Sequence, residues 1–196
     1  MIRMEEKRLD RRTMRTRKAV FEALAELMTQ KELRHITVQE LADKADIHRV
    51  TLYKHFLDIY DAYDQLEKMI MSELGIMITE YGVNPTFEVY GVVCDYIRKN
   101  PTYFKMIFSP HSPTALYWKV QNMVEGLNRM LWSESFDVAM NDSRIDSVIR
   151  YHSNGTLAVI GGWVTSDFAE PQAFVVDILK GLDRSTQAYM KALLKG

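Results

Sequence analysis

The chain has 196 residues, 47% of them hydrophobic and 26% charged, enough for one large domain or two small ones around a sizeable core. The formal charge is −1 overall, but residues 1–18 carry eight bases against three acids, residues 1–60 are net +3 and the remainder net −4, the pattern of a polyanion-binding head on an acidic body. A single cysteine, Cys94, excludes an intrachain disulfide framework or thiolate metal cluster; the longest apolar run, Leu157–Val164, is far short of the ~20 residues a membrane helix needs, and the charged N-terminus has no signal-peptide core, so a cytoplasmic protein with no membrane span is expected.

Apolar residues recur at threes and fours throughout, and the fold class expected is all-α. A first helix is read over about Asp10–Gln30, with Val20, Ala23, Leu24 and Leu27 on one face and a basic arm ahead of it. Thr37-Val-Gln-Glu40 forms a capping box, opening a short helix with Val38, Leu41, Ala42 and Ala45 inward. A break at Asp46–Ile47 leads to a second short helix, His48 to His55. Asp58 is a candidate N-cap for a long helix to about Tyr81, with Ile59, Tyr63, Leu66, Ile70, Leu74 and Met77 as its stripe. After Gly82-Val-Asn-Pro85 a helix runs to Asn100, and Pro101 starts another to Phe108. Ser112 is the expected cap, with Pro113 in the first turn, of a helix to about Trp132. A polar stretch, Ser133 to Ser143, precedes two final helices, Arg144–Thr165 and Pro171–Leu194.

The informative piece is Ile36 to Phe56, a capped short helix, a tight turn and a second short helix. Helices this short cannot persist alone in water; packed on the first helix they make a helix-turn-helix, whose second helix enters the DNA major groove. Ile47, Leu52 and Phe56 face inward in this reading, leaving Arg49, Val50, Tyr53 and Lys54 outward, a set suited to phosphates and guanine edges. A generic helical hairpin is the competing interpretation.

The run Thr37-Val-Gln-Glu-Leu-Ala-Asp-Lys-Ala-Asp-Ile-His-Arg-Val-Thr-Leu-Tyr-Lys-His-Phe56 closely resembles the TetR/AcrR signature, the likeness covering about residues 13–63. The resemblance implies backbone contacts to DNA from Thr51, Tyr53, Lys54 and His55, and base contacts from Arg49 and sometimes Val50. Thr37, Arg11 and Arg12 complete the expected DNA-binding set. It also implies residues 1–60 as a helix-turn-helix domain and 61–196 as an effector-binding and dimerisation domain, the whole a homodimer on a near-palindromic double-stranded operator. The sequence departs from the signature at Ile59, where a phosphate-binding lysine is usual, at Ala62, where leucine is usual, and at His48, which replaces a Ser/Asn cap that Asp46 could supply. The stretch Asn154-Gly-Thr…Gly161-Gly-Trp163 is similar to the branch containing dihydroxyacetone-kinase regulators.

In the last two helices, Val175, Ile178, Leu182 and Tyr189, with Gly155, Val159 and Gly162, suit either a two-fold seam or an intrachain core. Tyr96, Tyr103, Phe104, Met106, Trp118 and Met123 suit a pocket for an unknown small-molecule effector, apolar or cationic, or ordinary core. His111, His152 and Cys94 lack metal-ligand spacing. No catalytic or cofactor motif is found. The function expected is a dimeric, sequence-specific transcriptional regulator, a repressor responsive to an effector; the alternative is a related regulator acting mainly through protein–protein contact with weakened DNA binding.

Overall fold

The first helix, α1 (Ile2–Met28), begins well before its apolar stripe does. Residues 2–12 contain no glycine or proline and consist mostly of good helix formers, so the basic arm expected ahead of the helix is its N-terminal half. The computed structural model describes residues 2–81, 88–139 and 142–195, and among them every regular element is helical. The expected turn at Gly82–Pro85 lies outside the described residues. Val20, Ala23, Leu24 and Leu27 are buried as the periodicity requires, but so are Phe21, Ala25 and Met28. The burial is two-sided because α1 is shared by the helices of the head and by a helix of the body.

A 3-10 turn (Leu33–His35) leads into α2 (Val38–Lys44), where the Thr37 hydroxyl accepts the Glu40 backbone N–H at 3.2 Å. The Glu40 carboxylate is taken chiefly by Lys31, at 2.7 Å, and this ammonium, ahead of the Thr37 N–H, holds its pKa below the usual carboxylate range. The chain leaves α2 through Asp46 at φ 53°, with Ile47 N–H on Ala42 C=O at 3.0 Å and Asp46 N–H on Asp43 C=O at 3.2 Å. This is a Schellman ending with aspartate in the left-handed position that glycine usually fills. Asp46 therefore terminates α2 rather than capping the next helix. That helix, α3 (Arg49–Tyr53), is shorter than expected, and the backbone passes through single turns from Lys54 to Phe56.

For α4 (Ile59–Tyr81), the Asp58 carboxylate accepts the Asp61 N–H at 2.8 Å, while the Asp61 carboxylate accepts the Leu57 N–H at 2.9 Å. Its stripe from Ile59 to Met77 is buried. The body continues with α5 (Glu88–Lys99), α6 (Pro101–Ile107) and α7 (Thr114–Phe136). Pro113, not Ser112, sits at the N-cap of α7, and the Ser112 hydroxyl is buried with no partner among the described residues. α7 also outruns its expected end at Trp132, because Trp132 packs with Ile145, Ile149 and Met190 in a second small core that Phe136 extends. Asp137, at φ 51°, closes it with a second left-handed aspartate.

Two long helices finish the chain, α8 (Ser143–Thr165) and α9 (Gln172–Leu193), packed on each other, with α7 also on α8 and α5 on α9. A third aspartate, Asp167 at φ 58°, ends α8, with Phe168 N–H on Trp163 C=O at 2.9 Å. At Gly161 α8 lies tight against Phe108 at the end of α6: a Cβ there would stand 2.8 Å from the Phe108 ring.

Gly161→Ala is therefore expected to lower the melting temperature. Overpacking costs roughly 1–3 kcal/mol, against roughly 1 kcal/mol gained in helix propensity. Gly126→Ala, on the open face of α7, carries only the gain and should raise it. Thermal unfolding of the two variants that moved in the same direction would contradict this packing.

Candidate nucleic-acid interface and ligand cavity

Three side chains tie the short helices into one core with α1. Leu41 and Leu52 are fully buried, and the Phe56 ring lies 5.7 Å from that of Phe21. The Arg17 guanidinium stands 5.6 Å from both rings, so this base serves the fold. Lys44 pairs with Glu26 of α1 and Lys31 with Glu40 of α2, while Arg34 pairs with Glu32 and Lys18 with Glu22.

With Leu52 turned inward, α3 presents Arg49, Val50, Tyr53 and Lys54 to solvent, Val50 being 63% and Tyr53 56% exposed. Thr51 and His55 flank them, half-buried. Among the described residues, the Arg49 and Lys54 side chains make no ion pair or hydrogen bond, and neither does that of exposed Arg12 on α1. Arg11 is also on α1, but its side chain lies outside the described residues. Thr37 is exposed, and its hydroxyl is engaged at the start of α2.

Ile59 lies in the core, so the position where a phosphate-binding lysine is usual points inward here. The large apolar side chains exposed at this corner are Leu57 and Tyr60, neither singled out from sequence. The α4 stripe could have found Tyr60: a helix that buries Ile59, Tyr63 and Leu66 turns its next position outward.

In the body, helices α4 to α9 surround a cavity of about 170 Å³. Leu74 and Met77 of α4 line it, with Ile97 of α5, Phe104 and Ile107 of α6, and Val120 of α7. Of the pocket residues expected from sequence, Phe104 and Met123 line it. Tyr96 instead donates its hydroxyl to Glu73, Tyr103 and Met106 are core, and Trp118 is half-exposed.

The polar lining comes from residues not picked out beforehand: Tyr90, Asn128, Ser135, Thr156, Asp183 and Gln187. Asp183 is buried; its Oδ2 accepts from Gln187 Nε2 at 3.1 Å, and its Oδ1 lies 3.3 Å from His152 Nε2. The same His152 nitrogen is 3.3 Å from the Tyr90 hydroxyl, and the imidazole lies on Trp132. His152 is thus an interior residue. Burial pushes its pKa down to about 4 and raises that of the Asp183 carboxyl, so both groups are driven toward their neutral forms. Cys94 is buried with its thiol pushed up to about 11, which makes it unreactive at neutral pH.

The outer face of α8 and α9 exposes Tyr151, Leu182 and Tyr189, the first of them 75% exposed. Ile178, Gly155 and Val159 are half-buried beside them, and Gly162 is exposed. Val175 differs from the others on the expected seam, being 3% exposed within the chain's own core.

The buried pair should be separable by pH. In Asp183→Asn, His152 remains hard to protonate when folded, with a pKa near 4 against 6.5. The unfolded chain then binds the extra proton, and stability should fall by on the order of 3 kcal/mol as pH drops from about 6.5 to 4. In His152→Gln the slope reverses: Asp183 has the raised pKa, the folded state takes up the proton first, and stability should rise as pH falls toward the unfolded value of 3.8. Denaturant melts of both variants across this range measure the slopes, and slopes of equal sign would contradict the assignment.

Residues 86–183, half of the chain, match the TetR-type family model described as "Transcriptional regulator C-terminal region". No curated protein sequence is significantly similar. A tetR-family transcriptional regulator from Streptomyces coelicolor shares the fold, with 18% identity and a TM-score of 0.63 over 92% of this chain and 86% of that one. So does the dihydroxyacetone kinase operon activator DhaS, with 15% identity and a TM-score of 0.59 over 90% of this chain and 97% of that one. With its helix-turn-helix head and a helical body matching that model, the chain belongs to the TetR family of transcriptional regulators.

Proposed function

We propose that this regulator is a dimeric, sequence-specific DNA-binding protein of the cytoplasm, a repressor whose affinity for its operator is set by a small-molecule effector. Residues 1–60 form the reading head and 61–196 the effector-binding and dimerisation unit. The observation that carries DNA binding is the outward face of α3. Its two cations, Arg49 and Lys54, are without partners among the described residues, although nearby Lys31, Arg34 and Lys44 are all neutralised by acids. Arg49 is assigned to a base edge, with Val50 in apolar contact, and Thr51, Tyr53, Lys54 and His55 to the backbone. Thr37 and the α1 bases Arg11 and Arg12 lie in the same head and are assigned to flanking phosphates, and Tyr60 supplies a hydroxyl in place of the missing lysine.

One head makes few phosphate contacts, so two must be presented together, separated by one or more turns of about 34–36 Å on a near-palindromic site. The seam runs through Ile178, Leu182 and Tyr189 of α9 and Tyr151, Gly155, Val159 and Gly162 of α8. Support for it is the exposure of Tyr151, Leu182 and Tyr189 on one face of the two terminal helices. The effector site is the body cavity, with Phe104 and Met123 retained from the sequence-expected set.

Lys54→Ala should weaken binding to operator and non-specific DNA alike and make the slope of log K against log salt shallower by about one. Arg49→Ala should instead cost about 1–3 kcal/mol and relax preference at one base pair per half-site. Fluorescence anisotropy on operators selected from random duplexes measures both. A wild-type protein that selects no sequence would favour a regulator acting through protein contacts. Leu182→Glu puts two like charges near the two-fold axis, so sedimentation should give a monomer that has lost tight operator binding. A dimeric Leu182→Glu protein would move the seam elsewhere.

A further inference from the structure

We propose that the body cavity takes a small organic cation, a protonated amine on an apolar body about one ring in size, with the Asp183 carboxylate as its counter-ion. This rests on reading the cavity as the effector site, and it names the chemistry of what enters.

Among the described residues of the lining, Asp183 is the only ionisable carboxylate and there is no lysine or arginine. Asp183 is buried, with 11% of its side chain exposed. Among the described residues its side-chain partners are Gln187 and His152, and Gln187 is a neutral donor. A carboxylate out of water without a cation is expensive, and an amide would make similar neutral hydrogen bonds at a smaller penalty. A ligand ammonium supplies the charge that the chain withholds, and favours the ionised carboxyl that burial alone disfavours. An anionic ligand would meet Asp183 with no lysine or arginine in the lining to offset it.

The walls fit the same ligand. Tyr90, Phe104, Phe108 and Trp132 line the cavity, and aromatic faces attract a desolvated cation while covering its hydrocarbon part. The volume of about 170 Å³ is close to that of cavities that admit benzene, which are of order 150 Å³. One ring with a short aminoalkyl arm is the size class.

The test uses the full chain at about pH 7, where aliphatic amines are protonated, with three probes of one shape: 2-phenylethylamine, 2-phenylethanol and phenylacetate. Calorimetry on the wild type should rank the amine roughly ten- to hundred-fold tighter than the alcohol, as expected of a charged hydrogen bond in a dry site, with phenylacetate weakest. In Asp183→Asn the preference for the amine over the alcohol should vanish while alcohol binding persists. The wild-type ranking stands as a test even if that variant does not fold.

An alcohol or phenylacetate that binds as tightly as the amine, an amine preference that survives in Asp183→Asn, or no binding by any of the three would overturn the proposal. The effector reading is judged separately, by release of the selected operator. Amine binding without a change in DNA affinity keeps the ligand class and removes its regulatory role. Release by a neutral aromatic that the amine cannot match keeps the regulatory cavity and removes the cation.

Discussion

Helices of seven and five residues do not persist in water; α2 exists because α1 gives it a wall to pack on, and α3 because it packs on α2. Everything functional in the head follows from that constraint. Leu41, Leu52 and Phe56 must be buried against α1, and a helix as short as α3 that turns Leu52 inward has no choice about which side chains it turns outward. The ion pairs Lys44–Glu26 and Lys31–Glu40 add orientation more than energy, since exposed pairs contribute at most about 1 kcal/mol each. Apolar docking sets the fold, and the remaining cations are left to the solvent face.

The head was more legible in the sequence than the body, for a physical reason. Its signals are local: a threonine three residues before a glutamate, an apolar residue at each i+3 and i+4, a capping Asp58 before a long stripe. Helix ends were harder where they depended on something else. α1 extends to Ile2 on propensity alone, with no apolar stripe to announce it, and α7 runs on to Phe136 because Trp132 and Phe136 meet residues of α8 and α9. The three left-handed aspartates, Asp46, Asp137 and Asp167, stop helices where glycine would have been the recognisable sign. At Asp46 this inverted the expected role, from cap of the following helix to terminator of the preceding one.

The cavity lay beyond such signals. A hollow is an absence of atoms among several helices, and no spacing along one helix reports it. Aromatic and methionine content pointed to the right segment, yet Tyr103 and Met106 proved to be filling and Trp118 to lie outside, because composition does not say which way a side chain turns. The polar lining was invisible for a related reason. Tyr90, Thr156 and Asp183 come from α5, α8 and α9, and each taken alone reads as an ordinary interruption of an apolar face.

The arrangement bears on how the body could speak to the head. α6 has one side in the cavity, through Phe104 and Ile107, and packs its length on α1. It is also braced at its end, where Phe108 meets Gly161 of α8. Close-packed interiors transmit displacement rather than absorbing it, so a group that moved the Phe104 ring would press on the helix that carries the reading head. α9 offers a second link. Asp183 looks into the cavity while Leu182, its neighbour in sequence, is exposed on the face assigned to the second copy. A two-residue span thus joins the proposed counter-ion to the proposed seam between two copies. If the two arrangements of α6 and α9 differ in affinity for a ligand, they must differ by the same factor in affinity for the operator, because the coupling of two binding equilibria is reciprocal.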